Sequence, residues 1–192
     1  MANDPQSDTR SEPAAAPAAN PIITFRRLAP SDSISELTAL LHKAYAKQVE
    51  IGLKPLAGRQ DDSVTKSRVF SGECYVAVHH TENRQKLVGT ILFHEIEEAA
   101  GPPWFHRLDV ASFSQLAVDP GMQGHGIGQM LMGVVEDRAR KTGATEIALS
   151  MADPDNDLKN FYLRRGYRLI EQWQWPYTNY KSAILSKTIG KR

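Results

Sequence analysis

Apolar positions recur along the chain at two periods, two residues in short runs and about 3.6 in longer ones, and their order predicts the elements. IITFRRLA (Ile22–Ala29) predicts a first strand. Ser31 or Ser33 then caps a helix through ISELTALLHKAYAKQVEI, in which Ile34, Leu37, Leu40, Leu41 and Tyr45 fall at helical spacing. GLKPLAG is a turn-rich connector, and DSVTKSRVF predicts a short second helix. CYVAVHH and KLVGTILFHEI predict two strands joined by the polar TENRQ, with Cys74, Val76 and Val78 on one face. Glu97–Asp109 reads as a loop, and Val110–Val118 as the next strand.

The clearest helical pattern is Gly126–Thr142, where Ile127, Met130, Leu131, Val134 and Val135 make one apolar stripe. Arg138, Arg140 and Lys141 in its last turn and Gly143 beyond it suit a helix C-terminus. TEIALSM then predicts a strand, DLKNFYLRRG a short helix stopped at Gly166, and YRLIEQWQW a strand. PYTN turns the chain into a last strand, YKSAILSKTI. The order β-α-α-β-β-β-α-β-α-β-β predicts an α/β chain with a mixed sheet flanked by helices.

Composition narrows the classes. With 192 residues, 41% hydrophobic and 23% charged, residues 21–192 read as one globular domain. Residues 1–20 hold no Val, Ile, Leu or aromatic side chain, so they are expected to form a disordered tail. That tail has neither the apolar centre of a secretory leader nor the Arg-rich, acid-poor character of a mitochondrial one, which predicts a cytoplasmic protein. The net charge of +1 provides no general field for nucleic acid or an anionic membrane. No apolar run reaches the roughly 18 residues of a membrane span. The single cysteine, Cys74, excludes an internal disulfide and reads as a buried apolar residue. His79 and His80 are strand neighbours on opposite faces, so they do not share a metal ion, and no metal is expected.

Four glycines crowd SQLAVDPGMQGHGIGQMLM, where a strand ends and a helix begins. A helix N-terminus carries N–H groups without intrahelical partners and the positive end of the macrodipole. Gly124, Gly126 and Gly128 leave those donors unobstructed, which suits an anion such as a diphosphate. A P-loop would require Gly-Lys-Ser/Thr, and a dinucleotide fingerprint would require glycine where Gln129 stands; neither is present. From these residues alone, an anion nest and a plain flexible loop both remain open.

Gln123-Gly124-His125-Gly126-Ile127-Gly128 resembles the Gln/Arg-x-x-Gly-x-Gly/Ala signature of the GNAT superfamily of acetyl-CoA-dependent N-acetyltransferases. LAVDP before it, the long helix after it and FYLRRGY downstream match the family's context, and the likeness covers about residues 22–189. The resemblance implies a GNAT-like fold: a mixed, mostly antiparallel sheet of about seven strands, splayed between strands 4 and 5, with about four helices. It implies acetyl-CoA as co-substrate. Backbone groups of Leu116, Ala117 and Val118 would bind the pantetheine arm, the amides of Gln123, Gly124, His125, Gly126, Ile127 and Gly128 the pyrophosphate, and Asn156 would join them.

The implied reaction is transfer of an acetyl group to a primary amine by direct attack on the thioester. Tyr162, four residues before Gly166, matches the family's acid tyrosine, which protonates the departing thiolate; packing of its helix on the sheet is the other reading. The base is open. By alternation with Leu116 and Val118, Ser112 and Ser114 occupy the positions where relatives carry a Glu or His. His94 and Glu95 at the end of the neighbouring strand are substitutes, as is a water chain. Ser114, Glu95 and Tyr162 are therefore the catalytic candidates. The acceptor, a small-molecule or peptide amine, is expected between the early helices, the Glu97–Asp109 loop and the final hairpin. HEIEEA would draw a cation there. Trp104, Phe105, Trp173, Trp175, Tyr177 and Tyr180 would form an aromatic wall or only pack the hairpin. A homodimer is compatible with this reading. A non-catalytic acyl-CoA-binding regulatory or sensor module is the alternative.

Overall fold

The computed structural model describes residues 22–95 and 101–190. The expected tail at 1–20 and most of the acidic HEIEEA run, including Glu97 and Glu98, lie outside the described residues. The strands are β1 (Ile22–Arg27), β2 (Glu73–Thr81), β3 (Arg84–His94), β4 (Val110–Val118), β5 (Glu146–Ala152), β6 (Arg168–Trp173) and β7 (Ser182–Thr188). The helices are α1 (Ile34–Glu50), α2 (Asp62–Val69), α3 (Ile127–Lys141) and α4 (Asn156–Leu163). Their order matches the hydrophobic pattern. A short 3-10 turn, Pro103–His106, sits in the stretch expected to be loop.

The strands form one sheet in the order β1-β2-β3-β4-β5-β7-β6, and only β4 and β5 run parallel. Caps fix the helix starts: Ser33 Oγ accepts from the Glu36 amide, and Asp61 and Asp155 do the same at α2 and α4. One face of the sheet buries Ala77, Ile91, Phe93, Ala111 and Phe113 against Leu131 and Val135 of α3 and Tyr162 of α4. The other buries Cys74, Val76, Val78 and Ala117 against Leu37 and Leu41 of α1 and Val69 of α2. Burial raises the Cys74 thiol to about 11, which suits the apolar role expected of it. No helix among the described residues is long and apolar enough to cross a membrane.

Two features of β4 position the site. Its ladder to β5 runs only from Val110↔Glu146 to Phe113↔Leu149, although both strands continue beyond. β5 continues to pair with β7 as far as Ala152↔Ser182, so β4 is left with a single neighbour, β3, over its last residues. The sheet is split there.

The second feature is a bulge. Thr90 opposes Ala117 but Leu92 opposes Ser114, so Ile91 faces two residues of β4, and Gln115 takes φ 53°. The extra residue reverses the facing of the strand. Ala111 and Phe113 pack toward α3, and after the bulge so do Leu116 and Val118. The expected alternation of Ser112 and Ser114 with Leu116 and Val118 is therefore broken. The two serines face the α1/α2 side instead.

Candidate active site

Asp119 ends β4 and anchors the loop that follows. Its Oδ1 accepts from Lys43 Nζ at 2.8 Å and the Gly121 amide at 3.0 Å, and its Oδ2 from Lys86 Nζ at 2.9 Å. Burial alone would raise this carboxyl; the two ammonium groups and the amide outweigh it and hold it well below the usual carboxylate range. Beyond it, Gly124 (φ 83°) and Gly126 (φ 76°) adopt left-handed backbone that favours glycine. A Cβ at either position would have no atom of the described residues within 4 Å, so backbone conformation and not crowding favours glycine there.

Gly126 caps α3 without a side-chain hydrogen bond. The Gln123 amide turns back to Pro120 O at 3.4 Å, and the next amide in a turn or helix bond is that of Met130, to Gly126 O at 3.0 Å. Between them the N–H groups of Gly124 to Gln129 have no partner among the described residues. The bare donors thus start one residue later than the expected Gln123. His125 folds its Nδ1 onto Met122 O and Gln123 O at 3.3 and 3.1 Å and leaves the front of the loop clear. A row of six main-chain donors at the positive end of a 15-residue helix suits an oxyanion.

Leu116, Ala117 and Val118 occupy the arm of β4 beyond the split, next to this loop. Across the gap lie α1 and the start of α4. Gln48 Nε2 donates to Asp155 Oδ2 at 2.9 Å, and Tyr45 Oη donates to Leu116 O at 3.3 Å. The two sides of the sheet thus meet through the split.

On the α1/α2 side a cavity of about 360 Å³ opens beside the split. Tyr45, Phe105, Trp175, Tyr177 and Tyr180 form its aromatic walls; His94, Ser112, Ser114, Gln115, Ser150 and Arg68 add polar groups. Trp175 stacks on Tyr177 at 5.5 Å and donates its Nε1 to Ser150 Oγ at 2.9 Å. The aromatic wall therefore exists for four of the six expected side chains. Trp104 and Trp173 do not line it and pack, partly buried, against the cluster of Phe105, Val110, Ala148 and Ile184.

His94 Nε2 lies 3.3 Å from Ser114 Oγ, so these two candidates adjoin at the cavity wall. Glu95 does not join them. Its Oε1 accepts from Arg138 Nη2 at 2.7 Å in the last turn of α3, one residue past the end of β3. Tyr162 is buried against Phe113, Phe161 and Tyr167 and does not line the cavity; Phe113 stands between, touching both. Burial raises the Tyr162 phenol, with Tyr45 and Asp155 adding to the effect, so it stays protonated. Asn156 is exposed at the first turn of α4.

Sequence reasoning missed Gln115, Gln60 and Arg68. Arg68 Nη1 donates to Gln60 Oε1 at 2.7 Å, and Gln60 Nε2 donates to Gln115 Oε1 at 3.1 Å. The orientation of both amides follows, because a guanidinium only donates. Gln115 Nε2 is left buried with no hydrogen-bond partner. Burying such a donor unpaired costs about 1–3 kcal/mol. Gln60 is 55 residues from Gln115, a separation that leaves no local pattern.

The family described as "Acetyltransferase (GNAT) family" matches residues 36–167. An aminoalkylphosphonate N-acetyltransferase of Salmonella typhimurium is 37% identical over 83 residues, 43% of this chain. The chain spans about half, 51%, of that relative's length. Among solved structures, an acetyltransferase of the GNAT family from Staphylococcus aureus Mu50 aligns with a TM-score of 0.65 at 17% identity, covering 88% of this chain and 100% of that one. A GNAT family acetyltransferase from Elizabethkingia anophelis with acetyl-CoA bound aligns with a TM-score of 0.58 at 16% identity, covering 86% and 97%. These alignments identify the fold as the one that the glycine motif implied.

Proposed function

The chain belongs to the acetyltransferase (GNAT) family, and from that premise we propose that it transfers an acetyl group from acetyl-CoA to a primary amine. The observation that carries this reading is the split between β4 and β5, with a row of unpartnered amides on one side and a cavity on the other. The amides of Gly124 to Gln129 hold the pyrophosphate. Leu116, Ala117 and Val118 bond the pantetheine arm in place of the missing strand, and Asn156 completes that edge. The fit is chemical: a diphosphate needs donors, and no atom of the described residues comes within 4 Å of a Cβ placed at Gly124 or Gly126.

The amine enters through the aromatic cavity and attacks the thioester carbonyl. A C–N bond forms and the C–S bond breaks, while one proton leaves the amine and one reaches the sulfur. His94, held by Ser114, takes the first proton; imidazole is the side chain whose charge changes near neutral pH. Tyr162 supplies the second and is protonated for that task. The relative named for aminoalkylphosphonates supports a small alkylamine acceptor.

Calorimetry with acetyl-CoA, followed by thiol release across an amine panel, tests the reading. Binding and acceptor-dependent release are expected. Binding without release under any amine would instead favour a sensor module, and absence of binding would overturn both.

A further inference from the structure

One wall of the cavity is held by a clasp between segments far apart in the chain. Asn179, in the connection between β6 and β7, accepts from the Lys54 amide at 2.8 Å and donates its Nδ2 to Gly52 O at 2.9 Å. Arg59 Nη2 donates to Tyr177 O at 2.6 Å. These bonds tie the connection to the segment between α1 and α2 and fix Trp175, Tyr177 and Tyr180 in the lining. Trp175 is held further by its neighbours: Tyr177 stacks on it, Trp173 meets it edge-on at 6.3 Å, and a Cβ at Gly101 would come within 3.3 Å of its Cη2.

The second observation concerns what these rings offer a ligand. Indole has one donor and no acceptor, and the Trp175 donor is bound to Ser150 Oγ at 2.9 Å. Tyr45 directs its hydroxyl to Leu116 O, and Phe105 has no polar side-chain atom. With their polar ends engaged by the protein, these lining rings present carbon surface. A ring that is already ordered costs little side-chain entropy when a ligand packs on it, so a flat apolar body binds there at full advantage. The reactive end lies elsewhere in the lining: the His94–Ser114 pair belongs to β3 and β4, the strands beside the split.

We propose that the acceptor is an amine joined to an aromatic ring by a short chain, its amino group at the His94–Ser114 pair and its ring against Trp175 and the neighbouring aromatic side chains. A cavity of about 360 Å³, near the lower end for small-molecule sites, takes one such ring. Asn179 stands outside the lining, so it is a positioning residue that acts through the aromatic wall. This inference rests on the acetyltransferase reading.

The test compares kcat/KM, per unprotonated amine, for 2-phenylethylamine, 2-cyclohexylethylamine and ethylamine, with acetyl-CoA affinity measured separately by calorimetry. The phenyl compound is expected to exceed ethylamine by about tenfold or more, the scale of burying such a ring, and the cyclohexyl compound by about threefold, the scale of ring stacking. Trp175→Leu keeps apolar surface but removes the π face, so the second ratio falls to about one. Asn179→Ala loosens the wall from outside the cavity, so the first ratio falls about threefold or more while the acetyl-CoA Kd is unchanged. Equal use of the three amines by the wild-type protein overturns the aromatic acceptor, whether or not the variants fold. Turnover of none of them by a protein that binds acetyl-CoA also overturns it, as do unchanged ratios in folded Trp175→Leu and Asn179→Ala. Failure of the wild-type protein to bind acetyl-CoA would bring down the acetyltransferase reading instead.

Discussion

The loop before α3 and the cavity beside the split are neighbours built on opposite principles. The loop is a site of main chain: its donors are the amides of Gly124 to Gln129, three of those six residues are glycine, and the His125 side chain is turned back. The cavity is a site of side chains, assembled from α1, α2, β3, β4, β5 and the β6–β7 connection. A main-chain site tolerates only substitutions that leave its backbone and open face unchanged, whereas a side-chain site changes its ligand with each residue. The first therefore suits the constant partner of a reaction and the second the variable one.

That contrast breaks if the two sites respond alike to mutation. The largest effect is expected for Gly126→Glu, which places a bulky anion in a left-handed position before the amides. Coenzyme affinity measured by calorimetry should fall about a hundredfold or more, with circular dichroism native. Retained affinity in that variant would remove the diphosphate from the loop.

Tyr162→Phe should come next, lowering kcat by about a hundredfold with the coenzyme Kd nearly unchanged. Burial has already raised this phenol, so no loss of the acid through ionisation is expected below pH 10. An unchanged kcat would reduce Tyr162 to a packing residue. His94→Gln should cost about tenfold in kcat/KM, because the amine proton must then leave through solvent. An unchanged kcat/KM in this variant would discard the His94–Ser114 pair as base.

The smallest effect on either site is expected for Glu73→Gln, since Glu73 belongs to the scaffold. Hydrogen bonds from Arg138 pull its carboxyl from 4.5 to about 2. The pairing therefore stabilises the fold above about pH 4.5 and fades as pH falls toward 2. Glu73→Gln should cost about 1–3 kcal/mol at neutral pH by denaturant titration, and the difference should vanish under acid. A pH-independent difference would assign the loss to packing.

The same contrast explains what the sequence made legible. The amide loop appears as glycines within a few residues of one another, because a main-chain site is a local event. The two periodicities likewise placed every strand and helix to within a few residues. What stayed hidden depended on through-space partners or on one bond rotation. The bulge at Gln115 interrupts SFSQLAV, which alternates as a regular strand would, and its φ of 53° reverses the facing of Ser112 and Ser114. Glu95 reads as a neighbour of the site until Arg138, 43 residues away, is seen to bind it. Gln60 and Arg68 carry no pattern at all; only folding brings them to β4.

The claim underlying the rest is that bare peptide amides before α3 grip the phosphates of coenzyme A. Nuclear magnetic resonance of nitrogen-15-labelled protein titrated with coenzyme A tests it directly. The amides of Gly124 to Gln129 should show the largest shifts in the protein, saturating with the calorimetric affinity. Saturation with those six amides unmoved would contradict the account.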